Sequence, residues 1–321
     1  MPPDGSARSF PARVARHWRW VRTEGLRRLV EEDDLDPRTR IPNAIRKWWW
    51  RRRHGVPPGT AIPVYLVGLQ RSGTNMLVRG LATSPEFAVF NENDRRAFTG
   101  FRLRPDDVIA SLIAASRHPY VLFKPLTDSH RVDRLLDDIP AGAPGRALWA
   151  YRNVDGRARS AVAKFGDANL QALRAIAAGR AGDRWEAQRL SEASLREVAR
   201  LDLDRMSPWS AAALFWYVRN SLFFELGLDR RPDVLLVSYD SFVAHPSAAM
   251  AAVCAHVGFP YDDNLVAHVE RRTPRVPSRL DIDPRVRELC DRLAARLDEA
   301  ETSARASVEA GRRASPGSPL P

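Results

Sequence analysis

The run Val64-Tyr-Leu-Val-Gly-Leu-Gln-Arg-Ser-Gly-Thr-Asn-Met-Leu77 constrains this chain more than any other segment. Val64 to Val67 is a short apolar stretch with the composition of a buried strand. Gly68 and Gly73 bracket a turn. Thr74 and Asn75 then open a segment whose apolar residues, Met76, Leu77 and Leu81, fall at helical spacing. A strand, a glycine turn and a helix N-terminus in succession make an anion site. Free backbone N–H groups point at the ligand, and the helix dipole favours negative charge. The expectation is an α/β sheet with a phosphate held by Arg71, Ser72, Gly73, Thr74 and Asn75.

The loop departs from the nucleotide-kinase pattern. That pattern needs Gly, four residues, then Gly-Lys-Ser/Thr. Gly68 and Gly73 have the spacing, but Thr74 and Asn75 follow, and the lysine is missing. Arg71 is the loop's cation. A second segment, Gly145 to Ser160, again reads as strand (Ala147 to Tyr151), turn and helix start. Arg152 offers a fork of donors to a phosphate, and Ser160 offers a hydroxyl.

These two segments together resemble the PAPS-dependent sulfotransferases. The family's first loop is commonly Gly-x-Pro-Arg-Ser-Gly-Thr-Thr; here Gln70 stands for the proline and Asn75 for the second threonine. Its second loop is Arg-Asn/Asp-Pro-Arg-Asp-x-x-x-Ser. Arg152 and Ser160 match the first and last positions, while Val154 and Asp155 depart from the Pro and Arg. A third piece, Asp233 to Asp240 followed by Val257-Gly-Phe-Pro260, resembles the strand ending in Tyr-Glu-x-Leu and its Leu-Gly-x-Pro sequel, with Asp240 for the Glu and Phe242 for the Leu. The resemblance spans residues 60–300. It implies a three-layer sandwich around a mostly parallel sheet, the P-loop-like sulfotransferase fold.

The resemblance also implies a donor, PAPS, with PAP as product, and no metal requirement. Residues 71–75 would hold the 5′-phosphate, and Arg152 and Ser160 the 3′-phosphate. A late basic loop with Arg271, Arg272, Arg275 and Arg279 makes Arg272 a further candidate for the 3′-phosphate. Trp216 or Arg219 are candidates to reach the adenine or a phosphate.

Arginine vastly outnumbers lysine; Lys47, Lys124 and Lys164 are the chain's lysines. A lysine retained at the end of the apolar run Tyr120-Val-Leu-Phe-Lys124 needs a partner, since a charge there is costly. In α/β sheets that strand end opens on the ligand crevice. Cytosolic sulfotransferases carry a catalytic lysine in a strand-ending Lys-Thr-His-x-Pro, which Lys124 matches while the histidine has no counterpart. For the base, Pro85, a short strand Phe87 to Phe90 and Glu92 resemble the tyrosylprotein sulfotransferases, where a glutamate sits beside the donor sulfate. Glu92 is the first candidate, Asp94 the second; Asp128 and His130 are lesser ones. The expected catalytic set is Glu92, Arg71 and Lys124.

The rest of the chain organises around this core. Residues 1–58 form a basic arm with Trp18, Trp20 and Trp48 to Trp50, and helical patches near 11–32 and 42–53. Residues 59–300 form the main domain, with 167–206 a helical insertion or lid. Residues 301–321, rich in Ala, Ser, Pro and Gly, read as a disordered tail. The net charge of +11 points to an acidic partner. Tryptophans beside arginines suit a membrane interface better than nucleic acid. Cys254 and Cys290 sit in helical apolar patterns and read as buried free thiols, which fits a reducing compartment. With no secretory signal in residues 1–30 and no membrane-length apolar run, the expected location is the cytoplasm, with peripheral contact at the inner membrane face. The expected acceptor is a glycan, lipid or small metabolite carrying a hydroxyl or amine. Two further readings stay open: another P-loop nucleotide enzyme, and a non-catalytic basic protein that docks on membrane or nucleic acid through residues 1–58.

Overall fold

The computed structural model describes residues 37–140, 142–269 and 278–314. The chain divides into two compact units, Met1–Arg53 and His54–Pro321. The described part of the first is α1 (Pro37–His54), in which Trp48 and Trp49 are exposed and Arg52 lies over the Trp48 ring at 4.2 Å. The expected helical patch near 11–32, with Trp18 and Trp20, lies outside the described residues. Among the described residues no helix is long and apolar enough to cross a membrane.

The second unit is built on a five-stranded sheet, and every neighbouring pair in it is parallel. The strands are β1 (Ile62–Gly68), β2 (Phe87–Phe90), β5 (Tyr120–Phe123), β6 (Arg146–Tyr151) and β7 (Val234–Ser238), in the order β2-β5-β1-β6-β7. Short β3 (Phe98–Thr99) and β4 (Arg102–Leu103) form a separate antiparallel pair. The runs that read as strands from sequence are nearly continuous in apolar residues because a parallel sheet is covered on both faces. Along β1, Val64 and Leu66 face one core and Tyr65 and Val67 the other, as the strand's two-residue period requires.

Helices fill both outer layers. On the Val64 and Leu66 face lie α2 (Thr74–Thr83) and, later in the chain, a helix of residues 246–257. On the other face pack α3 (Asp106–Ala114), α4 (Val132–Asp137), α5 (Val154–Phe165), α6 (Ala168–Ala177), α7 (Glu192–Ala199) and α8 (Pro208–Glu225). The chain then runs through α9 (Tyr239–Ala244) and α10 (Pro246–Val257) to α11 (Pro284–Ala314). Cys254 in α10 and Cys290 in α11 are free and buried. The fold is the expected three-layer α/β arrangement.

The tail expectation needs correction. Residues 301–314 continue α11 instead of forming a disordered segment. Glu301 pairs with Arg305 at 3.4 Å and is buried against Ser241. The Ala, Glu and Arg of this stretch are strong helix formers, and its anchored first turn outweighs the Ser and Gly that read as loop.

Candidate functional site

All five strands point the same way, so their carboxyl ends form one rim. Arg71, Glu92, Lys124 and Arg152 follow the ends of β1, β2, β5 and β6 there. After β1 the chain enters the glycine turn, where Arg71 has a positive φ of 73° and Gly73 one of 85°. A side chain at Gly73 would collide with the Tyr239 ring, so the close approach of these two segments requires glycine. Gly73 caps α2 with no side chain bonded to the helix end, which leaves the cap to the backbone. Ser129, in a 3-10 turn over Leu126–Arg131, accepts from the Gly68 N–H at 2.9 Å and fixes where β1 ends.

The second loop meets the first. Arg71 Nε donates to Ser160 Oγ at 2.9 Å. Arg152, which follows β6, stacks its guanidinium 4.5 Å from the centroid of the Tyr239 ring. Its Nε is buried and has no hydrogen-bond partner among the described residues. Burial pushes the Arg152 pKa down, and the neighbouring Arg71 and Arg159 act in the same direction. Ser72 Oγ is likewise buried without a partner. A buried orphan donor is costly unless a ligand completes it, so each of these two atoms could accept a ligand as its partner.

The loop that carries Arg152 is held by neutral and acidic groups. Asn153 caps α5 by accepting from Gly156 N at 2.7 Å. Asp240 takes the Asn153 N–H at 2.8 Å and its side-chain amide at 2.6 Å. Asp155, where the sequence departs from the family's loop, instead pairs with Arg287 at 2.7 Å and caps Leu280 N, tying α5 to α11.

A second cluster lies over β2 and β5. The register Phe90↔Phe123 sets the residues after these strands side by side. Lys124 is buried, donates to Asn75 Oδ1 at 2.6 Å, and pairs with Glu92 at 3.6 Å. Burial pushes the Glu92 pKa up, and the Lys124 and Lys164 charges oppose that rise. Two of the chain's three lysines thus act on this one carboxylate. A desolvated carboxylate near cations is suited to taking a proton.

Other candidates fall elsewhere. Asp94 pairs with Arg96 at 2.6 Å on the surface. Asp128 is buried on Arg102 and the Leu103 N–H, both at 2.8 Å, and organises the β3–β4 pair. His130 is buried, and desolvation with four nearby arginines pushes its pKa down to about 3. Trp216 and Arg219 are both buried. Trp216 donates to the Arg152 carbonyl at 2.8 Å from inside the core, and Arg219 bonds carbonyls of residues 185 to 188 at the foot of the helical insertion. Arg272 lies outside the described residues. Tyr239, which follows β7, lies in the third segment that resembles the family, but its packing against Gly73 and Arg152 is visible only in the fold. Among the described residues no group of three or more His, Cys, Asp or Glu could hold a metal ion.

No family model matches the sequence, and no curated protein does. Solved structures do match. The chain is similar to sulfotransferase domains. One is the sulfotransferase domain of the Synechococcus PCC 7002 olefin synthase, 13% identical, with a TM-score of 0.38, covering 73% of this chain and 95% of that one. Another is the sulfotransferase domain from the curacin biosynthetic pathway, 12% identical, with a TM-score of 0.43, covering 75% of this chain and 98% of that one.

Proposed function

We propose that the chain is a PAPS-dependent sulfotransferase acting on a hydroxyl or amine. The observation that carries this reading is the Arg71–Ser160 hydrogen bond, which joins the two loops that the sequence assigns to the two phosphates, with the orphan Nε of Arg152 in the second. Residues 71–75 cradle the 5′-phosphate through backbone N–H groups, and Arg152 and Ser160 take the 3′-phosphate. The donor supplies a sulfuryl group linked through oxygen to its 5′-phosphate. Glu92 accepts the proton of the acceptor as its O–S or N–S bond forms. Arg71 and Lys124 stabilise the electron pair left on the phosphate oxygen as the old S–O bond breaks. We take the protein to act in the cytoplasm, with α1 and its exposed Trp48 and Trp49 as a peripheral membrane contact.

Thermal unfolding with PAP, with ATP as control, tests this in wild type and Arg152→Ala. Ligand at about 100 times its dissociation constant stabilises by about 2.7 kcal/mol, a rise of roughly 5–10 °C in a domain this size. The expected result is a shift with PAP, little with ATP, and loss of most of the shift in the variant. No shift with PAP in wild type sinks the reading.

A further inference from the structure

Among the described residues no carboxylate answers the charge of Arg157. It lies in α5, between the two residues of the second loop that match the family, and it is fully buried. Its Nε donates to the Gln70 carbonyl at 3.3 Å. Its Nη1 donates to the Ala212 carbonyl at 2.9 Å and to Asn169 Oδ1 at 3.1 Å. The Phe215 ring lies beside it, its centroid 5.7 Å from the guanidinium carbon. Every one of these partners is neutral. The charged group that acts on Arg157 is another cation, Arg71. Removing an ion from water costs several kcal/mol unless a counter-charge returns it, and here the described residues supply none. Arg287, by contrast, has Asp155 at 2.7 Å.

The bond to Gln70 has a geometric consequence. In a trans peptide the carbonyl and the following N–H point in opposite directions. With the Gln70 carbonyl held by Arg157, the N–H of Arg71 is turned away from α5. Arg71 holds a positive φ, so this peptide needs an external fix to keep its orientation.

We propose that Arg157 is a positioning residue of the anion loop, fixing the Gln70 peptide and supplying a buried positive charge that is compensated only when a polyanion occupies residues 71–75; the proposal rests on the donor-site reading above. The unliganded fold bears the cost of that charge, and the ligand relieves it.

Asn169→Asp tests this without removing a hydrogen bond. The substitution sets a carboxylate on Arg157 Nη1 at a position that is only partly buried. The expected result is a rise of about 2–4 °C in Tm without ligand, and a roughly tenfold loss of affinity for both PAP and pyrophosphate, as a new opposite charge near the loop requires. Arg157→Lys, which keeps the charge, binds PAP more tightly than Arg157→Gln, which keeps donors without it. If Asn169→Asp binds both anions as wild type does, or if the Gln variant equals the Lys variant, the proposal is overturned. Should the Arg157 variants not fold, Asn169→Asp decides alone. Wild type that binds pyrophosphate and not PAP refutes the donor reading while the Asn169→Asp comparison still judges Arg157. Wild type that binds neither overturns both.

Discussion

Arg71 and Ser160 are 89 positions apart in sequence, and their side chains meet at 2.9 Å. The contact joins a residue of the turn after β1 to one on α5, whose strands β1 and β6 are direct neighbours with Gly68 opposite Ala150. Ser160→Ala removes the acceptor that orients the Arg71 guanidinium. A hydrogen bond to a charged group is worth about 1.5–3 kcal/mol, so PAP affinity is expected to fall roughly tenfold or more, read by titration calorimetry, with little change in Tm.

Glu92→Gln is expected to leave PAP binding intact and cut turnover by about 10²–10⁴, the usual contribution of a general base. The stability effect has its own sign. The folded pKa of Glu92 is raised by burial, so its contribution to stability is complete below the ordinary carboxylate range and is lost as pH rises through the raised value. The Gln variant therefore matches wild type in acid and gains relative stability toward neutral pH. Denaturant melts at pH 4.5 and 7.5 check this; a variant less stable at neutral pH than in acid, relative to wild type, refutes it.

Gly73→Ala should fail as a binding site before it fails as a fold. The φ of 85° costs a side chain about 1–3 kcal/mol, and the new methyl meets the Tyr239 ring. The expected outcome is a lowered Tm and no thermal shift with PAP. Gly179→Ala, also at positive φ but with open space around its Cβ, is the control: a smaller loss of Tm with wild-type PAP binding.

His130 and His256 are buried, and desolvation lowers their pKa values to about 3 and about 4. A histidine with a depressed folded pKa contributes stability that is present above its unfolded value and lost as pH falls below it. Each is expected to cost up to about 1.4 kcal/mol per pH unit below roughly 6.5. Unfolding followed from pH 7.5 to 5.5 should show a steep loss, and His130→Gln should flatten part of it. An unchanged slope in that variant places the acid sensitivity elsewhere.

The candidate site was legible wherever the chemistry is local. The apolar runs gave β1, β5, β6 and β7, and helix α2 begins and ends within the expected residues. Glu92 and Lys124 were each suggested on separate grounds, yet nothing in the sequence pairs them. Their contact follows from the β2–β5 register. Aromatic and cationic side chains on a helix, such as Trp216 and Arg219, look alike in sequence whether they face a ligand or a core. In the fold, both satisfy buried carbonyls. The Ala- and Ser-rich end of the chain read as disorder because its composition is low in large apolar residues, while Glu301 anchors it as helix.

What the sequence determined by itself was the kind of chain this is: an α/β sheet, a glycine turn at Gly68 to Asn75 between a strand and a helix, and a second strand–turn–helix with Arg152 and Ser160. Strand and helix periods and turn glycines act over a few residues, so they are written in the local order of side chains. What only the tertiary structure decided was which charges face one another. The strand order β2-β5-β1-β6-β7 sets Ser160 on Arg71, Lys124 on Glu92 and the buried Arg157 behind Gln70. The reason is that an ion's energy depends on its distance to every other charge and on its exclusion from water, and both are properties of the folded sheet.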